Sequence, residues 1–126
     1  PLFVECTVDE TTGEELTPLA HSSSRRVFAV QTAEKLQELL AGVVAEGTAQ
    51  QAAPSEGTAA GKTGTAQTGQ FRDGEELKNY WFAGFYPAEK PRWTIVVMQD
   101  AQTEPEVSSA AVFARLCDAL AAGEDG

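Results

Sequence analysis

The residues of this chain best suited to chemistry lie together at Lys62-Thr63-Gly64-Thr65. An ammonium group flanked by two hydroxyls supplies a charge and oriented donors, which is equipment for holding an anion. On a β-strand, Thr63 and Thr65 share one face, because successive side chains alternate. Gly64 lies between them without a Cβ, so a ligand can approach its backbone closely. The surrounding stretch, 59–67, is small and polar. It suits a strand if something packs against its glycines.

Phosphate is the first anion to weigh, because Gly61-Lys62-Thr63 looks like the end of a phosphate-binding loop. That loop needs Gly, four residues, then Gly-Lys-Thr/Ser, after a strand and at the opening of a helix. Here the first glycine would fall on Glu56, and Gly57 is one residue too close. A carboxylate at that place opposes phosphate. The residues after Lys62 (Gly-Thr-Ala-Gln-Thr-Gly-Gln) cannot begin an amphipathic helix. The nucleotide reading is therefore set aside.

Other reactive side chains are few. The serines are Ser22, Ser23, Ser24, Ser55, Ser108 and Ser109, and none has a lysine three positions on. Ser22 and Ser23 have an arginine there, which cannot serve as a base. His21 sits in a Ser-rich loop and reads as a surface residue, with Arg25 and Arg26 solvated beside it. Cys6 and Cys117 lie near opposite ends. They could form one disulfide, but the simpler reading is two buried small apolar side chains. A single histidine and no Cys-x-x-Cys argue against structural zinc, and nothing offers a cofactor site.

The elements that must position Lys62 follow from periodicity. Residues 2–9 alternate and read as a strand, with a turn at 11–14 and a short extended return through Leu19. Ala33, Leu36, Leu40, Val43 and Val44 share a helical face, with Thr32 as a candidate cap and Gly47 as a left-handed stop. Residues 48–58 read as loop. Arg72-Asp73-Gly74 marks a turn. Tyr80–Tyr86 and Trp93–Met98 form an antiparallel hairpin across a Pro87–Pro91 loop. Thr103-Glu104-Pro105-Glu106 is a capping box that should start a last helix. Its stripe is Val107, Ala110, Phe113, Ala114, Cys117 and Leu120, with Gly123 ending it. Trp81, Phe82, Phe85 and Trp93 are assigned to the core. The expectation is an α+β structure, helices packed on an antiparallel sheet.

Composition narrows the function. The 126 residues are 42% hydrophobic, enough for one core, and carry a net charge of -10. Nucleic-acid binding and a polybasic membrane anchor both need clustered positive charge. No apolar run approaches the roughly 20 residues of a membrane helix. The chain opens with Pro1, which suggests a processed or truncated product.

Around the triad, the run gains specificity. Glu46-Gly47-Thr48-Ala49 closes the preceding helix, and Ala60-Gly61-Lys62-Thr63-Gly64-Thr65-Ala66-Gln67 carries the triad. Trp81-Phe82-Ala83-Gly84-Phe85-Tyr86-Pro87 follows, then Pro91 and Ile95-Val96-Val97-Met98. This pattern resembles the C-terminal part of the transpeptidase domain of class B penicillin-binding proteins, from about Leu2 to the final helix. The resemblance implies a β-lactamase-like fold and a parent that cross-links peptidoglycan stem peptides outside the cytoplasmic membrane, usually held by an N-terminal membrane helix. It implies no metal or organic cofactor. Its ligands would be the D-Ala carboxylate of a stem peptide and the corresponding carboxylate of a β-lactam. Lys62 would support proton transfer and attract the carboxylate. Thr63 and Thr65 would bind it through their hydroxyls, and the Thr65 N–H would form half of the oxyanion hole. Gly64 would let substrate come close, and Gln67, Thr68 and the 68–77 segment would line the groove.

The family's Ser-x-x-Lys and Ser-x-Asn are both absent, since Asn79 is the only asparagine. In the family both precede Lys-Thr-Gly. The expectation is a single partial domain over 1–126, the C-terminal portion of a transpeptidase domain. It would have its triad strand at about 59–67, a hairpin at about 78–99 and a helix at about 104–122. Alone it would be inactive, with apolar surface and an open sheet edge through which it self-associates. The alternative is a non-catalytic scaffold or ligand-sensing module on the same fold.

Overall fold

A computed structural model describes residues 6–18 and 25–124. Residues 2–5 of the strand predicted over 2–9, Leu19 at the end of the predicted return, and the polar residues His21, Ser22, Ser23 and Ser24 lie outside that range. The architecture is α+β. Strands β1 (Cys6–Val8) and β2 (Glu15–Pro18) form a small antiparallel pair of their own. Helix α1 (Val30–Ala45) follows. Then come β3 (Ala60–Arg72), β4 (Glu75–Tyr86) and β5 (Trp93–Gln102), and last helix α2 (Ser109–Glu124). The three strands form one antiparallel sheet in the order β3-β4-β5.

Local chemistry sets the turns. The β3–β4 connection is Asp73-Gly74, with φ of +53° and +86°. Two left-handed residues match the twist of a tight hairpin, and Asp-Gly is a favoured pair there. Both strands run further than the sequence pattern indicated, so a ribbon extends from the site to this turn. A register shift interrupts it between Gln67 and Phe71. Gly69 takes φ +70° there, and the Thr68 hydroxyl donates to the Leu77 carbonyl at 2.6 Å.

Helix boundaries depart from the sequence reading. α1 begins at Val30, and neither Thr32 nor Ala29 makes a side-chain cap. Gly47 does not stop the helix in the left-handed region. The chain leaves through Glu46 at φ -132°, and Gly47 lies so close to Val43 that a Cβ would meet its Cα and carbonyl oxygen at 2.8 Å. The segment read as loop contains a 3-10 turn at Gln50–Ala52, and it buries Ala49 and Ala52.

α2 starts at Ser109, not at the Thr103–Glu106 box. The Tyr80 hydroxyl donates to the Thr103 carbonyl and the Gln99 amide to the Val107 carbonyl, both at 2.8 Å. Those bonds hold 103–107 against the sheet. Ser108 is the working cap: its Oγ accepts from the Ala111 N–H at 3.1 Å. Ser108→Ala is expected to lower stability by about 1 kcal/mol, read by urea denaturation, while Thr103→Ala should change little.

The core lies between α2 and the sheet. Phe82, Phe113 and Cys117 are fully buried, joined by Val44, Ala59, Tyr86 and Ala110. The Phe82 and Phe113 rings meet at 4.6 Å, tilted by 55°, a favoured aromatic geometry. Gly61 and Gly84 make room for them, since a Cβ would come within 2.6 Å of the Phe82 ring at Gly61 and 2.8 Å at Gly84. Burial pushes the Cys117 thiol up to about 11, so it stays protonated and inert, and both cysteines are free. Trp93 and Phe85 are half-buried. Trp81, assigned to the core by its type, stands 38% exposed on the face opposite Phe82.

Candidate functional site

β3 is an edge strand of the three-stranded sheet, and Lys62, Thr63, Gly64 and Thr65 lie in its first half. Their register against β4 is regular, pairing Lys62 with Ala83, Thr63 with Phe82, Gly64 with Trp81 and Thr65 with Tyr80. Strand alternation therefore divides them. Thr63 and Thr65 share the Phe82 side, while Lys62 and Gly64 share the side of Ala83 and Trp81.

The start of β3 is fixed from three directions. The Ala88 N–H donates to the Thr58 carbonyl at 2.8 Å, just before the strand. The Gln37 amide of α1 donates to the Ala88 and Glu89 carbonyls. The Thr58 hydroxyl donates to the Glu89 carboxylate and holds its carboxyl below the usual range. A lowered native value means this bond contributes above the ordinary carboxylate range and fades as pH falls through the lowered value. Further back, the Ser55 N–H donates to Asp118 of α2 at 2.7 Å. Tyr86, whose peptide bond to Pro87 is cis, donates its hydroxyl to the Glu56 carbonyl at 2.9 Å.

At the site, the Lys62 Nζ bends across the strand. It donates to the Thr63 carbonyl at 3.0 Å and to the Thr63 Oγ1 at 3.1 Å. This contact joins the two faces at the strand margin. Because Oγ1 accepts from the ammonium, the Thr63 hydroxyl hydrogen remains available to donate outward. Lys62 is exposed, and among the described residues no carboxylate lies within salt-bridge distance of it. Thr65 is exposed, and its hydroxyl has no hydrogen-bond partner among the described residues. Gly64 is open on its own face, where an added Cβ would meet only the Trp81 Cβ, at 3.5 Å. The arrangement offers a cation and hydroxyl donors to an anion arriving along the edge.

Sequence reasoning missed two neighbours. Trp81, on the same face as Lys62 and directly opposite Gly64, is exposed beside the site. Phe82, correctly placed in the core, lies opposite Thr63 and packs against Gly61 beneath the strand. The available signal was strand parity along 81–84, which sets Trp81 and Phe82 on opposite faces. Among the described residues, no group of His, Cys, Asp and Glu side chains is arranged to hold a metal ion. No helix there is long and apolar enough to cross a membrane.

Comparison with known proteins gives a consistent family. Residues 1–118 match the penicillin binding protein transpeptidase domain. Stage V sporulation protein D of Bacillus subtilis (strain 168) is 31% identical over 103 residues, covering 79% of this chain and 16% of that protein. The D,D-transpeptidase domain of a peptidoglycan glycosyltransferase from Eggerthella lenta superposes with a TM-score of 0.63 at 28% identity, covering 94% of this chain and 27% of that one. The transpeptidase domain of Burkholderia pseudomallei penicillin-binding protein 3 superposes with a TM-score of 0.67 at 30% identity, covering 79% and 32%. The chain thus spans about a sixth of its curated relative and about a third or less of these solved structures.

Proposed function

The chain belongs to the penicillin-binding-protein transpeptidase family, and from that premise we propose that it forms the carboxylate-binding wall of a peptidoglycan D,D-transpeptidase. Lys62 attracts the terminal D-Ala carboxylate of a stem peptide, or the matching carboxylate of a β-lactam. Thr63 and Thr65 donate hydroxyl hydrogens to it. The Thr65 N–H supplies one donor to the oxyanion of the tetrahedral intermediate, and Lys62 stands in the proton-transfer network of the attacking serine. That serine belongs to polypeptide outside residues 1–126, within a parent acting at the outer face of the cytoplasmic membrane. The whole of 1–126 acts as one partial domain, and the parent needs no metal or organic cofactor.

The observation that carries this reading is the Lys62 Nζ on the Thr63 Oγ1 at 3.1 Å. It leaves a cation and a free hydroxyl hydrogen aimed from one strand margin.

Titration of the chain with an N-acylated D-Ala-D-Ala peptide, followed by amide chemical shifts, tests it. Shifts should concentrate at 62–66, and Lys62→Met should weaken binding about tenfold, the scale of a charge-assisted hydrogen bond. The same peptide with its terminus amidated should bind no better to the native chain than to the variant. Equal binding of acid and amide by the native chain would remove the carboxylate role.

A further inference from the structure

The ladder between β3 and β4 is regular from Ala60 to Gln67 and resumes only at Phe71. Thr65, whose N–H and hydroxyl the proposed role uses, therefore lies two residues from the last regular pair. Local opening starts where backbone pairing stops. A break so close to the anion site should let β3 fray back through Gln67 and Ala66 towards Thr65.

Side chains close the break instead, and one carboxylate spans it. Glu76 of β4 accepts from the Gln67 Nε2 at its Oε2, at 2.7 Å, and from the Gly69 N–H at its Oε1, at 3.2 Å. The same group thus holds the last residue of the regular ladder and the left-handed glycine inside the break. Thr68 supports it from between, donating to the Leu77 carbonyl and accepting from the Gln70 N–H at 3.2 Å. Bonds to an ionised acceptor are roughly twice as strong as neutral ones. Among the described residues no cation lies within salt-bridge distance of Glu76, so these two hydrogen bonds are what its carboxylate contributes.

We infer that Glu76 is a positioning residue of the anion site. Its clamp carries the order of the ladder across the break and keeps residues 64–67 set, so that the Thr65 donors already face an arriving ligand. The inference rests on the carboxylate-binding role proposed above and adds what holds that site in shape. Without the clamp, the ligand would have to order the strand as it binds, at a cost in affinity.

The sign of the charge effect separates this role from plain electrostatics. A carboxylate near an anion site repels the ligand, so removing its charge alone should tighten binding. A loss of affinity then reports the lost hydrogen bonds.

Titration of the full chain with the N-acylated D-Ala-D-Ala peptide, together with amide hydrogen exchange of the free chain, tests the inference. Glu76→Ala should weaken binding about fivefold, the scale of one net hydrogen bond. It should speed exchange over 64–67 and leave exchange over 93–98 unchanged. Glu76→Gln can still accept from the Gly69 N–H and donate to the Gln67 side-chain oxygen once that amide turns over. It should bind as well as the native chain or better. Glu75→Ala removes the same charge one residue away, at an exposed position outside the clamp, and should not weaken binding. Unchanged affinity or unchanged exchange over 64–67 in Glu76→Ala would overturn the inference. So would an equal loss in Glu76→Gln or Glu75→Ala. A uniform rise in exchange across the sheet would also overturn it, because Glu76 would then support the fold and not the site. Failure of the native chain to bind the peptide at all would remove the carboxylate role itself, a result distinct from binding that Glu76→Ala leaves untouched.

Discussion

Alanine at position 113 should cost about 3–5 kcal/mol of folding free energy, a large share of the stability of any domain this small. Phe113 is fully buried on α2 and meets the Phe82 ring at 4.6 Å. Packing around it is tight enough that a Cβ on Gly84 would come within 2.9 Å of the ring. The remaining core is mostly alanine, at 49, 52, 59, 60, 88, 110 and 114. Alanine side chains cannot rotate to fill a lost ring, so the cavity would persist and add to the lost transfer energy. The consequence reaches β3. Phe82 loses its partner, and Phe82 is what packs under Gly61 and opposite Thr63. Urea denaturation followed by far-ultraviolet circular dichroism would measure the loss. Phe113→Leu, which retains much of the volume, should lose clearly less. A cost for Phe113→Ala of under about 1 kcal/mol would mean that the two rings do not carry this interface.

A fluorescent penicillin should leave no covalent label on this chain. Acylation requires a serine hydroxyl with a base beside it. Ser109 is buried, with its Oγ between the Tyr80 carbonyl at 2.9 Å and Gln99 at 2.7 Å. Ser55 is held by Asp118, and Ser108 caps α2 while bonding Gln51. None of these three hydroxyls bonds to a lysine. Ser22, Ser23 and Ser24 are followed three positions on by Arg25, Arg26 and Val27, none of which can take a proton. Joined to a transpeptidase segment bearing Ser-x-x-Lys, the chain should support labelling. In that joined protein, loss of the Lys62 ammonium should slow acylation by roughly 10²–10³, the scale of removing one transition-state electrostatic contact. Stoichiometric labelling of the chain alone, visible on a denaturing gel and mapped by mass spectrometry, would place a nucleophile among residues 1–126.

Much of the architecture was legible from local pattern. The Asp73-Gly74 turn, the alternation along β4 and β5 and the stripe Ala110, Phe113, Ala114, Cys117 each reflect backbone periods that a sequence displays directly. The placement of Lys-Thr-Gly-Thr on a strand was equally plain, because its small polar residues suit no helix. The misreadings have separate physical causes. The Thr103–Glu106 box is a sound helix start in isolation, but Tyr80 and Gln99 take the carbonyls of Thr103 and Val107 from across the sheet. Gly47 has the right type for a left-handed stop, yet what it answers is the closeness of the Val43 backbone. Trp81 has a core-like side chain, but strand parity turns it away from α2.

The sequence by itself therefore determined which residues alternate, where the chain turns and which side chains could hold an anion. Those depend on covalent geometry and on neighbours within a few residues. Only the tertiary structure decided that Lys62 reaches the Thr63 hydroxyl at a margin with no strand paired to it among the described residues, that Ser108 opens α2, and that Trp81, Val96 and Met98 are exposed. Burial and hydrogen-bond geometry depend on how the strands and helices pack together, which residue types and spacing alone do not specify.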